Sequence, residues 1–210
     1  MSSDDRTILD TSVLLYFLLV GREDLLRALI GDPLRCPVAV YDPDDGSLPE
    51  GALRRSDLLS EMRQAVRHYE VAVRTGDAPT DLLDRVQLID KMFDSGAVEV
   101  VDMDEDELGL AARLQSRDGA SEFSLRVPLG PGEAACVAIA WVRKWAIATD
   151  DEDALKVLDL MHRGRTYPYE RIRRLLIRAA NENLITADEA NEIHAEVRAL
   201  GFWDSGSPFP

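Results

Sequence analysis

The stretch Thr7-Ile8-Leu9-Asp10-Thr11-Ser12-Val13-Leu14-Leu15-Tyr16-Phe17-Leu18-Leu19 decides the fold of this chain. Thr7-Ile8-Leu9 is short, apolar and stopped by an acid, which reads as a buried strand. Thr11 or Ser12 is a plausible helix cap. Ser12 to Leu19 then reads as a short buried helix that Gly21 breaks. A strand feeding a helix is the repeating unit of an α/β protein.

The same alternation runs outward from this stretch. Glu23 to Ile30 reads as a second helix, Gly31-Asp32-Pro33 as a turn and Arg35 to Tyr41 as a second strand. Asp42 to Gly51 is acidic and rich in proline and glycine, and reads as a loop. Leu58, Leu59, Met62, Val66, Tyr69 and Val73 give Arg54 to Arg74 helical spacing, and Asp81 to Phe93 reads as its partner in an αα-hairpin. Val98 to Met103 is a third strand. Asp104-Glu105-Asp106-Glu107 reads as the solvated, capped start of a helix reaching Gln115. Arg117 to Leu129 reads as a loop. Pro131-Gly132-Glu133 opens an apolar helix over Ala134 to Val142, and Trp145 to Thr149 is a fourth strand ending at Asp150-Asp151. Helices follow over Ala154 to Met161, Tyr169 to Glu182 and Ala187 to Leu200, the last behind a Thr186-to-Glu189 capping box. Strands alternating with helices imply an α/β fold with a mostly parallel sheet.

Composition narrows the function. The chain has 210 residues, 46% hydrophobic and 30% charged, as in an ordinary globular protein. Acids outnumber bases 39 to 24, a formal net charge of -15. Such a chain is no general polyanion binder, and nucleic acid would need a local basic patch or bound cations. Cys36 and Cys136 lie far apart at no metal or redox spacing, which fits a reduced, cytoplasmic protein. Val13 to Val20 is far short of the roughly 20 apolar residues of a membrane helix. It has no basic leader, so neither a membrane nor a secreted role is expected.

In open parallel sheets ligands bind at the carboxyl ends of the strands. Asp10 follows the first strand, and Asp150 and Asp151 follow the fourth. Glu133 lies in the first turn of the helix leading into that fourth strand. A helix runs antiparallel to its following strand, so Glu133 returns to the same edge. Taken singly, each acid has an ordinary explanation as a helix cap or as a partner for a helix dipole. Their convergence is what singles them out. Clustered carboxylates repel unless protons or cations neutralise them, and oxygen-rich sites suit Mg²⁺ or Mn²⁺.

Ile8-Leu9-Asp10-Thr11-Ser12-Val13-Leu14, Gly132-Glu133-Ala134-Ala135 and Ile147-Ala148-Thr149-Asp150-Asp151 together resemble the PIN-domain family of metal-dependent nucleases, which includes VapC-type toxins. The resemblance covers roughly residues 6 to 160. It implies a three-layer α/β/α fold, with a PIN-like domain over residues 1–162 and a helical extension over 163–203; residues 204–210, rich in Ser, Gly and Pro, read as a flexible tail. It also implies metal-dependent hydrolysis of RNA, leaving 5′-phosphate and 3′-hydroxyl ends. Asp10, Glu133 and Asp150 or Asp151 would be metal-binding acids, with Ser12 and Thr149 as supporting hydroxyls. The family's second acid comes from the helix after the second strand. Glu61 is the preferred candidate there, with Asp57 one turn before it. Asp42, Asp44 and Asp45 in the extended loop are alternatives, or the position is empty.

Arg171, Arg174 and Arg178 share a helical face and, with Tyr167 and Tyr169, are candidates for contact with RNA. Their ordinary reading is pairing with the chain's excess acids. The resemblance admits an antitoxin protein and a second copy of the chain as further partners. His68, His162 and His194 have no partner at motif spacing. Two functions compete: a metal-dependent ribonuclease, and a PIN-like binding module with an incomplete acid set.

Overall fold

The computed structural model describes residues 6–41, 85, 91–163, 165–204 and 206–209. Residues 42–84 and 86–90, which include the loop from Asp42, most of the segment read as a helical hairpin, and Asp44, Asp45, Asp57, Glu61 and His68, lie outside the described residues.

The elements are β1 (Thr7–Leu9), α1 (Thr11–Leu19), α2 (Glu23–Ile30), β2 (Leu34–Pro37), β3 (Val98–Val101), α3 (Glu105–Leu114), α4 (Arg117–Glu122), α5 (Pro131–Arg143), β4 (Ala146–Ala148), α6 (Glu152–Met161), β5 (Tyr169–Glu170), α7 (Ile172–Asn181) and α8 (Ala187–Ala199). Every described strand pairing is parallel: β1 with β4, β4 with β5, and β2 with β3. β1 also lies against β2, so the strands run β3-β2-β1-β4-β5 across the molecule. From β1 the chain passes first to β2 on one side and later to β4 on the other. The crevice between the ends of β1 and β4 is therefore a topological switch point, where parallel sheets take their ligands.

Helices form two groups, α3, α4, α5 and α6 in one and α1, α2, α7 and α8 in the other. The fold is thus α/β with parallel strands, compatible with three layers. The apolar sequence of α1 explains its place: Val13, Leu14, Leu15, Phe17, Leu18 and Leu19 are all buried. Full burial of one such side chain stabilises by about 1.5–3 kcal/mol. α5 is the other central element, buried continuously from Ala134 to Ala140. Among the described residues no helix is long and apolar enough to cross a membrane. Cys36 and Cys136 are buried thiols, and Cys136 Sγ donates to the Leu9 carbonyl at 3.4 Å.

Several elements differ from the sequence reading. The second strand stops at Pro37, because residues 38–40 form a turn in which Val40 and Tyr41 donate back to the Pro37 carbonyl. The segment read as a loop from Arg117 contains α4, capped by Ser116 Oγ, which accepts from Gly119 N at 3.0 Å. Tyr169-Glu170, read as the start of a helix, is a strand that extends the sheet beyond β4. The segment after residue 162 therefore contributes to the sheet as well as packing α7 on α2 and α8 on α1. In the tail, Pro208 is buried and Phe209 N donates to Asn191 Oδ1 at 3.1 Å.

Two side chains have structural tasks that the sequence did not disclose. Glu107 is capping-box partner to Asp104, but it is fully buried rather than solvated. Its Oε1 and Oε2 accept from Arg143 Nε at 2.6 Å and from a terminal nitrogen of Arg143 at 2.8 Å. Arg143 donates further to the Asp102 carbonyl and stacks over Trp145. Hydrogen bonding to Glu107 raises the pKa of Arg143. Tyr167, a candidate for stacking on bases, is buried, and its hydroxyl faces the carbonyls of Ala140 and Trp145 at 2.5 and 3.0 Å. Burial pushes its pKa up to about 12.

Candidate functional site

The parallel register brings Leu9 opposite Ala148, so the residues after them, Asp10 and Thr149, leave the sheet side by side. Asp10 N donates to the Ala148 carbonyl at 2.9 Å and continues the ladder one step beyond the strand. Asp10 occupies the N-cap position of α1, yet its side chain makes no capping hydrogen bond to that helix. Instead Asp10 Oδ2 accepts from Thr149 Oγ1 at 2.9 Å and from Ser12 Oγ at 3.2 Å. Thr149 is fully buried and also accepts from Asp151 N at 3.1 Å. A relay of donors therefore runs from the α6 terminus through Thr149 to Asp10. Thr149, just past β4, and Ser12, in the first turn of α1, thus fix the carboxylate from two elements.

The two adjacent aspartates diverge. Asp151 is the N-cap of α6, its Oδ1 accepting from Ala154 N at 2.6 Å. Asp150 is 5% exposed and turns toward α7, its Oδ2 accepting from Ile172 N at 3.2 Å. Burial raises the Asp150 pKa from 3.8 to about 6, against the lowering effects of the Ile172 N–H and Arg171. Desolvation outweighs one backbone hydrogen bond here, as expected for a carboxylate with few donors.

Glu133 is the third residue of α5 and follows Gly130, the N-cap. A Cβ built on Gly130 would overlap the Glu133 carboxylate. The glycine thus makes room for that side chain at the helix terminus.

Asp10, Ser12, Glu133, Asp150 and Asp151 line one cleft of about 340 Å³, together with Tyr16, Glu152, Phe202 and Trp203. The last four were not assigned to the site from the sequence. Tyr16 lies one helical turn after Ser12, and Glu152 directly follows the Asp150-Asp151 pair; these spacings were the available signals. Phe202 and Trp203 come from the far end of the chain and carried no local sign of this placement.

Among the described residues no three acidic, histidine or cysteine side chains are grouped closely enough to hold a metal ion between them. The donor set still suits a hard cation. It is all oxygen, and Mg²⁺ keeps several of its waters and needs only one or two protein carboxylates. The buried Asp150, with its raised pKa, is a carboxylate whose charge a cation would relieve.

The candidate arginines are mostly occupied. Arg178 is paired with Glu170 and Glu182 and donates to the Leu29 carbonyl, which ties α7 to α2. The nearest approaches of Arg171 to Glu152 and of Arg174 to Glu170 are 3.7 Å. Both guanidinium groups stack over Tyr169, at 5.9 and 5.2 Å from its ring centre.

No family model, curated protein or solved structure matches the chain.

Proposed function

We propose that the chain is a PIN-like, metal-dependent endoribonuclease of the kind found as the toxin of toxin–antitoxin pairs. The observation that carries the reading is Asp10. It stands at a helix N-cap without capping the helix, held by Thr149 and Ser12 in a cleft that Glu133 and Asp150 also line. A merely structural cap would spend its carboxylate on the helix.

Asp10, Glu133 and Asp150 would hold Mg²⁺ or Mn²⁺, with Asp151 at the same edge. Such a cation supplies Lewis acidity and activates water at neutral pH. The chain's own part is to orient and to neutralise. Thr149 and Ser12 occupy one oxygen of Asp10 and fix its direction. Ile172 N does the same for Asp150. Gly130 leaves Glu133 its position at the rim of the α5 terminus.

The test is cleavage of labelled single-stranded RNA, transfer RNA and single-stranded DNA with Mg²⁺ or Mn²⁺, with and without EDTA. Wild type is run beside Asp10→Asn. Cleavage of RNA that needs metal and disappears in Asp10→Asn is the expected result. A folded wild type that cleaves none of the three over a wide concentration range overturns the reading. It would favour a second one, a PIN-like binding module without catalysis. The specific observation behind that alternative is the lack of three closely grouped carboxylates among the described residues.

A further inference from the structure

A second cavity of about 370 Å³ adjoins the carboxylate cleft and, unlike it, carries arginines among its acids. Asp150, Glu152 and Trp203 line both, so these three residues form the partition between them. Beyond the partition the second cavity is lined by Arg171, Arg173, Arg174, Ile177 and Asp204, whose carboxylate faces His194 Nε2 at 3.6 Å and accepts from Gly206 N at 3.0 Å. Arg173 is exposed and makes no ion pair among the described residues. Arg174 donates one N–H to the Tyr169 carbonyl at 3.2 Å, and the 3.7 Å ion-pair separations of Arg171 and Arg174 exceed hydrogen-bond length, so both guanidinium groups keep further N–H groups for another acceptor.

Trp203 is the most exposed large hydrophobic side chain described, at 64%. The residue before it is anchored: Phe202 is buried and packs edge-on to Tyr16 at 5.3 Å and to His194 at 6.2 Å. The fold therefore holds an indole in water between the carboxylate cleft and the arginine-bearing cavity.

The geometry points to a nucleotide subsite: Trp203 stacks on an unpaired base of single-stranded RNA, while Arg171, Arg173 and Arg174 hold the neighbouring phosphate. This rests on the reading of the carboxylate cleft as the cleaving site, and it assigns the adjoining cavity to the flanking nucleotide. The chemistry distinguishes the occupant. A base offers a π-face to the indole and its phosphate offers oxygens to planar guanidinium forks. A duplex keeps its bases stacked on one another and leaves none for Trp203. An acidic peptide would engage the arginines but leave the ring without a matching surface.

The test measures binding of a short fluorescein-labelled single-stranded RNA to the full chain carrying Asp10→Asn, in Mg²⁺, by anisotropy across a salt titration. Adding Trp203→Ala should weaken binding by about 5- to 150-fold, the range for loss of one base stack, while Trp203→Phe should retain most of it. Adding Arg173→Ala should reduce the slope of log affinity against log salt by about 0.7, the loss of one phosphate contact on a single strand. Melting curves establish that the variants are folded. RNA affinity untouched by Trp203→Ala, or a salt slope untouched by Arg173→Ala, overturns the subsite. If wild type still cleaves RNA in a metal-dependent way, the subsite falls alone. If wild type neither binds nor cleaves RNA, the nuclease reading falls with it.

Discussion

Replacing Asp150 by Asn should stabilise the metal-free protein at neutral pH, an unusual expectation for a residue at the centre of a site. The carboxyl is 5% exposed, and burial raises its pKa from 3.8 to about 6. The folded protein therefore binds this proton more tightly than the unfolded chain does. The sign follows: this group lowers stability as pH rises from about 4 to about 6, and by its full amount above that. A shift of about two pKa units corresponds to about 3 kcal/mol. Asn keeps an acceptor for Ile172 N but loses the charge assistance of that bond, worth about 1 kcal/mol. The variant should gain about 2 kcal/mol over wild type near pH 7, and the gain should vanish near pH 4. Urea denaturation in EDTA at several pH values measures it, and the difference between the two proteins cancels the titration of all other groups. With Mg²⁺ present the order should reverse. A ligand at 100 times its Kd adds about 2.7 kcal/mol to the form that binds it, and Asn binds a cation less well. A stability difference that stays flat between about pH 4 and about pH 7 would refute the assignment of Asp150 as a strained, buried carboxylate.

Three further outcomes are expected. Gly130→Ala should leave the melting temperature almost unchanged, since its φ of -65° suits alanine, while the added Cβ displaces the Glu133 carboxylate; RNA cleavage should fall at least about 10-fold, a loss of about 1.4 kcal/mol in the barrier. Arg143→Ala should cost about 3–5 kcal/mol in denaturant titration, because Glu107 is left buried and charged, and pairing it with Glu107→Leu should restore part of that loss. Tyr167→Phe removes the donor facing the Ala140 and Trp145 carbonyls and should cost about 1–2 kcal/mol by the same measurement.

The parts legible in sequence were those in which a short apolar run ends abruptly in an acid. β1 before Asp10 and β4 before Asp150 are of this kind, and their parallel register made the convergence of the two aspartates a consequence of topology. β5 is two residues long, too short for any alternation to register. α4 is six residues long and carries Gly119, a poor helix former. In the fold Gly119 is buried close to the Arg113 carbonyl, where a Cβ would overlap backbone, so it is a packing glycine. The pair Glu107–Arg143 joins positions 36 apart. Each looked like an ordinary helix-end charge, and only the packing of α3 on α5 brings them together. The arginine stripe was legible only in part, for a related reason. Helical spacing gave Arg171, Arg174 and Arg178 one face, but β5 delivers Glu170 beside that face and removes Arg178 from it.

That last contrast explains why the last strand matters to the site. Pairing of β5 with β4 brings the Thr149 N–H to the Glu170 carbonyl at 3.0 Å, directly behind the hydroxyl that holds Asp10. Two residues later α7 begins, and its first N–H reaches Asp150. The segment after residue 162 thus supplies one wall of the cleft, one donor to a site carboxylate and all three arginines of the adjoining cavity. Removing it would do more than shorten a helical appendage. It would expose the edge of β4, leave Asp150 without its described hydrogen bond and free the Thr149 backbone on which the direction of the Asp10 carboxylate depends.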